Sequence, residues 1–161
     1  MVGVQRILAA LALLWCLWWG LGNAALAENY DKRLLDGVDF SGKAWQGSQF
    51  NKAVLRGAKF QKADLQGVSL FGADLSDADF TGANLRYATL DTARLARVNL
   101  TDAVLEGAFL YGTFLEGAQV TGADFTDVDL RDRDRRMLCE TARGVNPTTG
   151  RATRDTLECD S

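Results

Sequence analysis

The side chains that most often do chemistry are unevenly supplied in this chain. Its 161 residues include three cysteines, 21 aspartates and glutamates and 18 lysines and arginines, but no histidine. Without histidine there are no Ser-His or Cys-His nucleophile pairs, the commonest general base is missing, and most zinc and copper sites are excluded. Cys139 and Cys159 lie 20 positions apart, not in the C-x-x-C spacing of a redox pair. What remains is carboxylate: Asp64, Asp74, Asp79, Asp124 and Asp129 each directly precede a large apolar residue, a recurrence that raises calcium as a candidate. A formal charge of −3 argues against a dominant basic patch and against electrostatic binding of nucleic acid.

The chain that must position these groups has two parts. Met1 to Ala27 carries one charged side chain, Arg6, then the apolar run Ile7 to Trp19, and closes on Ala25-Leu26-Ala27 before Glu28. Positive, then apolar, then small-x-small is the order of a secretory signal peptide, cleaved here after Ala27. An uncleaved anchor is the competing reading, because the 21 residues from Ile7 to Ala27 are uncharged and at about 1.5 Å per residue a helix of that length just spans a bilayer. Cys16 leaves with the peptide if cleavage occurs.

From residue 28 onward the arrangement of apolar residues dominates. Stepping by five from Phe40 to Leu130, nineteen successive positions carry a large apolar side chain. Two residues before each of them stands Ala at twelve places and Val at four, and only Lys43, Ser48 and Thr113 break that second register. A period of five fits neither a helix nor a half-buried strand. The unit is therefore a short extended piece plus a turn, with one small and one large side chain pointing inward. Glycine recurs at the turn positions, where it allows positive φ. A chain that turns after every unit winds into a solenoid whose coils stack about 4.8 Å apart.

Units such as Ala63-Asp64-Leu65-Gln66-Gly67, Ala73-Asp74-Leu75-Ser76-Asp77 and Ala83-Asn84-Leu85-Arg86-Tyr87 resemble the A-(D/N)-L-x-x unit of pentapeptide repeat proteins, and the likeness covers residues 36–132. The resemblance implies an all-β solenoid, a right-handed quadrilateral β-helix of about five coils with four units per coil. Central Leu or Phe fills its core and the preceding Ala packs at its corners. Phenylalanines are expected nearer the ends and leucines in the middle. Residues 28–35 are expected as an N-terminal cap with Trp45 packed beneath it.

Both ends of a solenoid need covers, because stacked coils end in unpaired backbone. The period stops after Leu130, and residues 133–161 read as a short helical C-terminal cap. A helix over 132–143 ends at Gly144, Asn146 to Gly150 form a turn cluster, and a second helix starts with Thr153 as its N-cap. An even pair of cysteines in an exported chain reads as a disulfide, Cys139 to Cys159. This end resembles that of pentapeptide repeat proteins exported to the periplasm or thylakoid lumen, which narrows location more than activity.

With four units per coil, residues 20 apart become vertical neighbours. The columns Asp39, Lys59, Asp79, Asn99, Gln119 and Ala44, Asp64, Asn84, Val104, Asp124 do not stack the six or more oxygens that calcium takes. Their polar groups are expected on turn backbones or in solvent, with no metal and no cofactor. The outer surface offers more. Phe109, Tyr111 and Phe114 flank the inward Leu110 and should point outward near one corner, Phe71 lies two coils below Tyr111, and Tyr87 occupies a turn between Gly67 and Gly107. Exposed aromatics mark a partner site, or else they pack under the C-terminal cap. The reading is a non-enzymatic, exported scaffold that binds an unidentified protein, with no nucleic acid and no membrane contact after cleavage. A bare N-terminal coil would favour end-to-end homodimers. The alternatives are a DNA mimic that binds a topoisomerase, as cytosolic relatives do, and a structural protein anchored by an uncleaved N-terminus.

Overall fold

The computed structural model describes residues 27–159. Of the expected signal segment only Ala27 falls inside that range, and Ala25 lies outside it. Among the described residues no helix is long and apolar enough to cross a membrane.

Each unit of five closes on its own turn. The carbonyl of the large inward residue accepts the N–H three residues on, as in Ala53 to Phe50 and Ala58 to Leu55, both at 3.1 Å. The residue between them is left-handed, with φ 55° at Lys52 and 62° at Gly57. A hydrogen-bonded turn with positive φ only at its third residue is type II. Bridges then join each unit to the one 20 residues on, in parallel, from Asn29↔Gln49 to Val104↔Asp124. Twenty residues per coil and five per unit give four faces. The molecule is a right-handed quadrilateral β-helix of just over five coils. Its strands are single bridges, because only one residue per face lies between turns.

The inward large residues form four columns. Phe40, Phe60 and Phe80 stack with ring centroids 5.0 and 4.8 Å apart, and Tyr30 stacks on Phe50 at 4.8 Å. These separations match the spacing of parallel coils, about 4.8 Å, so aromatic rings can lie flat on one another without distorting the backbone. Leucines fill most of the remaining column positions, and the inward Ala and Leu from Ala53 to Leu115 are buried. The two hydroxyls in the small-residue register are buried and bonded: Ser48 Oγ accepts the Glu28 N–H at 3.1 Å and Thr113 Oγ1 donates to the Leu110 carbonyl at 2.9 Å.

The N-terminal end differs from expectation. Residues 28–35 are not a separate cover but the opening of the first coil: Asn29 and Leu34 bridge the coil above, and Tyr30 and Leu35 extend the inward ladder by two steps. Their register is disguised because Glu28 and Arg33 stand where later units carry Ala. On the lowest coil that position has no coil beneath it, so a charged side chain reaches water. Lys43 is exposed for the same reason. The cover at this end is an aromatic cluster. Trp45 packs edge-on against Phe40, Tyr30 and Phe50 at 5.2 to 6.4 Å, and its indole N–H donates to the Phe40 carbonyl at 2.9 Å.

At the other end, α1 spans Asp132–Cys139 and α2 spans Thr153–Thr156. Helix α1 stops four residues short of the expected 143, and Glu140 and Thr141 form a turn. Thr153 is not the N-cap: it is the first helical residue, buried, with Ala152 before it making no side-chain cap. An antiparallel bridge Val145↔Ala152 and a bond from Thr153 N–H to the Gly144 carbonyl hold it inside. The Cys139–Cys159 disulfide joins α1 to the residues after α2, with the Cα atoms 5.7 Å apart. The cap continues the ladder of the last coil: Gly122 N–H donates to the Arg143 carbonyl at 2.8 Å, and Phe125 N–H to Thr156 Oγ1 at 3.1 Å.

One residue locks the cap. Asn146 is fully buried, and its Nδ2 donates to the carbonyls of Asp102, Ala103 and Gly122 at 2.8 to 3.2 Å, while Oδ1 accepts the N–H groups of Thr148 and Thr149. A side-chain amide thus supplies a donor to the turn carbonyls of Asp102 and Gly122, which take no bond from a neighbouring coil, and a second donor to Ala103, which already accepts the Asp124 N–H.

Candidate partner-binding face

In each unit the residue before the large inward one and the two after it face out. Phe109 and Phe114 hold the first kind of position on adjacent faces, bridged to Thr89 and Arg94, and Tyr111 sits on the corner between them. They are 58%, 59% and 73% exposed, so they do not pack beneath the cap. Tyr111 N–H donates to Asp91 Oδ1 at 2.8 Å, which fixes the corner over Phe71, itself 41% exposed two coils below. The Arg94 guanidinium lies over the Phe114 ring, 5.8 Å from its centroid, a cation–π placement.

Two hollows flank these rings. One of about 190 Å³ beside Phe109 and Tyr111 is rimmed by Asp91, Asp127 and Asp129. The other, about 360 Å³, lies between Phe114 and α1 and is lined by Arg94, Arg131, Arg133 and Met137. The first hollow thus has only carboxylates among its charged groups, whereas the second carries both signs, because Glu116 and Asp134 also line it and Asp134 pairs with Arg131 at 2.6 Å. Tyr87 stands at the opposite corner of the Phe109 face. Its ring lies flat across Gly107, where an added Cβ would come within 2.7 Å of it. Tyr87 thus combines an exposed edge with a packing role.

The carboxylates expected on turn backbones are found there. Asp64, Asp74, Asp79 and Asp124 each accept the N–H two residues on. Asp129 instead remains exposed beside the first hollow. Burial works to raise the carboxyls of Asp74, Asp79 and Asp124, yet all three are held below the usual range by hydroxyl bonds from Ser76, Thr81 and Thr126, with Arg56, Lys59 and Arg151 adding charge. Arg151 also ties the cap to the coils, reaching Asp124 at 3.2 Å and Glu106 at 3.5 Å. Among the described residues no group of three or more His, Cys, Asp or Glu side chains is placed to hold a metal ion. Sequence reasoning placed Asn146 in a turn without its role and passed over Arg94: Asn146 lies beyond the repeat, and Arg94 holds an outward position of the repeat that announces no partner.

Comparison with known proteins agrees with this architecture. The pattern of pentapeptide repeats matches in eight copies over residues 34–70, 63–95 and 93–132. No curated protein gives a significant match. Among solved structures, a pentapeptide repeat protein from the Arabidopsis thaliana thylakoid lumen is 50% identical, with 82% of this chain and 92% of that one covered and a TM-score of 0.80. HetL from Nostoc sp. strain PCC 7120, a pentapeptide repeat protein involved in regulating heterocyst differentiation, is 26% identical over 67% of this chain and 60% of its own, with a TM-score of 0.39. A pentapeptide repeat protein from the cyanobacterium Cyanothece 51142 is 25% identical over 65% of this chain and 81% of its own, with a TM-score of 0.37. Five-residue turns, four-sided coils and matching repeats over most of the chain agree: this chain belongs to the pentapeptide repeat family.

Proposed function

We propose that the protein is a non-enzymatic module of an exported compartment, the periplasm or a thylakoid lumen, which binds another protein through its aromatic face. The observation that carries the reading is the set of three aromatic side chains, Phe109, Tyr111 and Phe114, each more than half exposed on a stretch bonded to the coil below, where the Phe109 and Phe114 N–H groups donate to the Ala88 and Ala93 carbonyls. A rigid scaffold loses little conformational freedom when rings that are already fixed meet a partner. Such rings are the residue types that dominate binding energy at interfaces. Support for export comes from the signal-like order of residues 1–27, from the disulfide, and from the thylakoid-lumen origin of the Arabidopsis protein.

The test replaces the three rings together, Phe109→Ser, Tyr111→Ser and Phe114→Ser, in the exported protein. An unchanged melting temperature with loss of cross-linked partners in its own compartment is the expected result. A large fall in melting temperature would assign the rings to the fold, and unchanged cross-linking would place the interface elsewhere.

A further inference from the structure

The expected processing point, Ala27–Glu28, coincides with the first locked residue of the β-helix. Glu28 N–H donates to Ser48 Oγ at 3.1 Å, and the Glu28 carbonyl accepts the Gln49 N–H at 2.8 Å. The Glu28 carboxylate also accepts the Tyr30 hydroxyl. In the units above, the N–H at this register position donates to the carbonyl three residues back, as Ser48 itself does to Trp45. Ser48 is one of two hydroxyls in a register filled by Ala and Val apart from the charged Glu28, Arg33 and Lys43 of the first coil, and it is fully buried. Its oxygen accepts equally from an amide and from an ammonium, and an ammonium makes the stronger, charge-assisted bond.

We propose that Ser48 is a built receptor for the α-ammonium of Glu28 that signal cleavage creates, so that processing completes the first coil. In the cleavage a signal endopeptidase adds water across the Ala27–Glu28 amide. The hydroxyl joins the Ala27 carbonyl carbon, the C–N bond breaks, and the freed nitrogen keeps its proton, gains one from water and takes up another at neutral pH. The new ammonium stays where the amide was, because the Glu28 carbonyl is pinned by Gln49. This rests on the export reading. The groups facing the ammonium are its own carboxylate, the Tyr30 hydroxyl and, through Tyr30, the Arg33 guanidinium. The coil above contributes the uncharged Ser48 and Gln49. A bond to the charged form raises the amine's pKa above the ordinary range of about 7.7–8. That bond therefore stabilises the folded protein fully below the ordinary value and is lost as pH rises through the raised one.

The protein is exported as the full chain, purified after processing, sequenced from its N-terminus and labelled with limiting acetic anhydride across pH 6 to 10, with the N-terminal peptide read by mass spectrometry. Expected are a start at Glu28 and labelling near pH 7.5 slowed about threefold, half a pKa unit, relative to the same protein unfolded in urea. Ser48→Ala restores the ordinary rate, whereas Thr113→Ala, which removes the other hydroxyl of that register, does not. A start at Glu28 with equal labelling folded and unfolded overturns the receptor. If Ser48→Ala is not recovered, the folded-against-unfolded comparison still decides. A start at Met1 overturns the inference together with the export reading, and a start at any other residue overturns the inference alone.

Discussion

Replacing Gly107 by alanine tests whether the corners of this β-helix are packed surfaces or merely bends. Gly107 has φ +66°, and a Cβ there would approach two carbons of the Tyr87 ring to 2.7 Å. Gly57 has nearly the same backbone, φ +62°, but open space around its Cβ position. In Gly57→Ala only the left-handed conformation is penalised, by about 1–2 kcal/mol. Gly107→Ala adds overpacking of about 1–3 kcal/mol, or else expels the Tyr87 ring from the surface it covers. The expected costs are therefore about 1–2 and about 2–5 kcal/mol, read from urea unfolding followed by circular dichroism. On a Tyr87→Ala background the Gly107→Ala cost should fall to that of Gly57→Ala, a coupling of about 1–3 kcal/mol. Equal costs for the two glycines, or a coupling below about 0.5 kcal/mol, would refute the idea that Tyr87 is held by the coil beside it.

Asn146→Ala leaves the Asp102 and Gly122 carbonyls without their donor and the Thr148 and Thr149 N–H groups without their acceptor, and should cost about 2–4 kcal/mol, with tryptic cleavage at Arg143 and Arg151 appearing before the coils unfold. Reducing Cys139–Cys159 opens a closure of 20 residues and should cost about 3 kcal/mol in the chain-entropy model, loosening α1 and α2 while the circular dichroism of the coils persists. Stability should be level between pH 5 and 8 apart from the α-amine, because no histidine is present. It should fall in acid: Asp74, Asp77, Asp79 and Asp124 have lowered folded pKa values, so their contribution is present above the unfolded value of about 3.9 and is lost as pH drops through the folded ones. A stability maximum below pH 4 would contradict these assignments.

Much of the fold is legible in the chain because a solenoid is built from local rules repeated. One large and one small apolar residue in nearly every five, with glycine at many third turn positions, require a turn after each unit and an inward ladder, and the large residues from Phe40 to Leu130 keep this register without interruption. Columns 20 apart then follow, and with them the outward direction of Phe109, Tyr111 and Phe114. The pattern failed where a coil lacks a neighbour. At the lower end Glu28, Arg33 and Lys43 occupy small-residue positions, because no coil beneath encloses them, and this hid Tyr30 and Leu35. At the upper end the cap is specified by contacts 24 to 44 residues apart, such as Asn146 with Gly122 and Asp102, and no local pattern encodes these. Tertiary structure alone decided that Thr156 meets the coil edge, that the aromatic strip lies outside the cap, and that Tyr87 rests on Gly107. The repeat fixes direction for each side chain, whereas exposure and partnership depend on what the next coil or the cap places beside it.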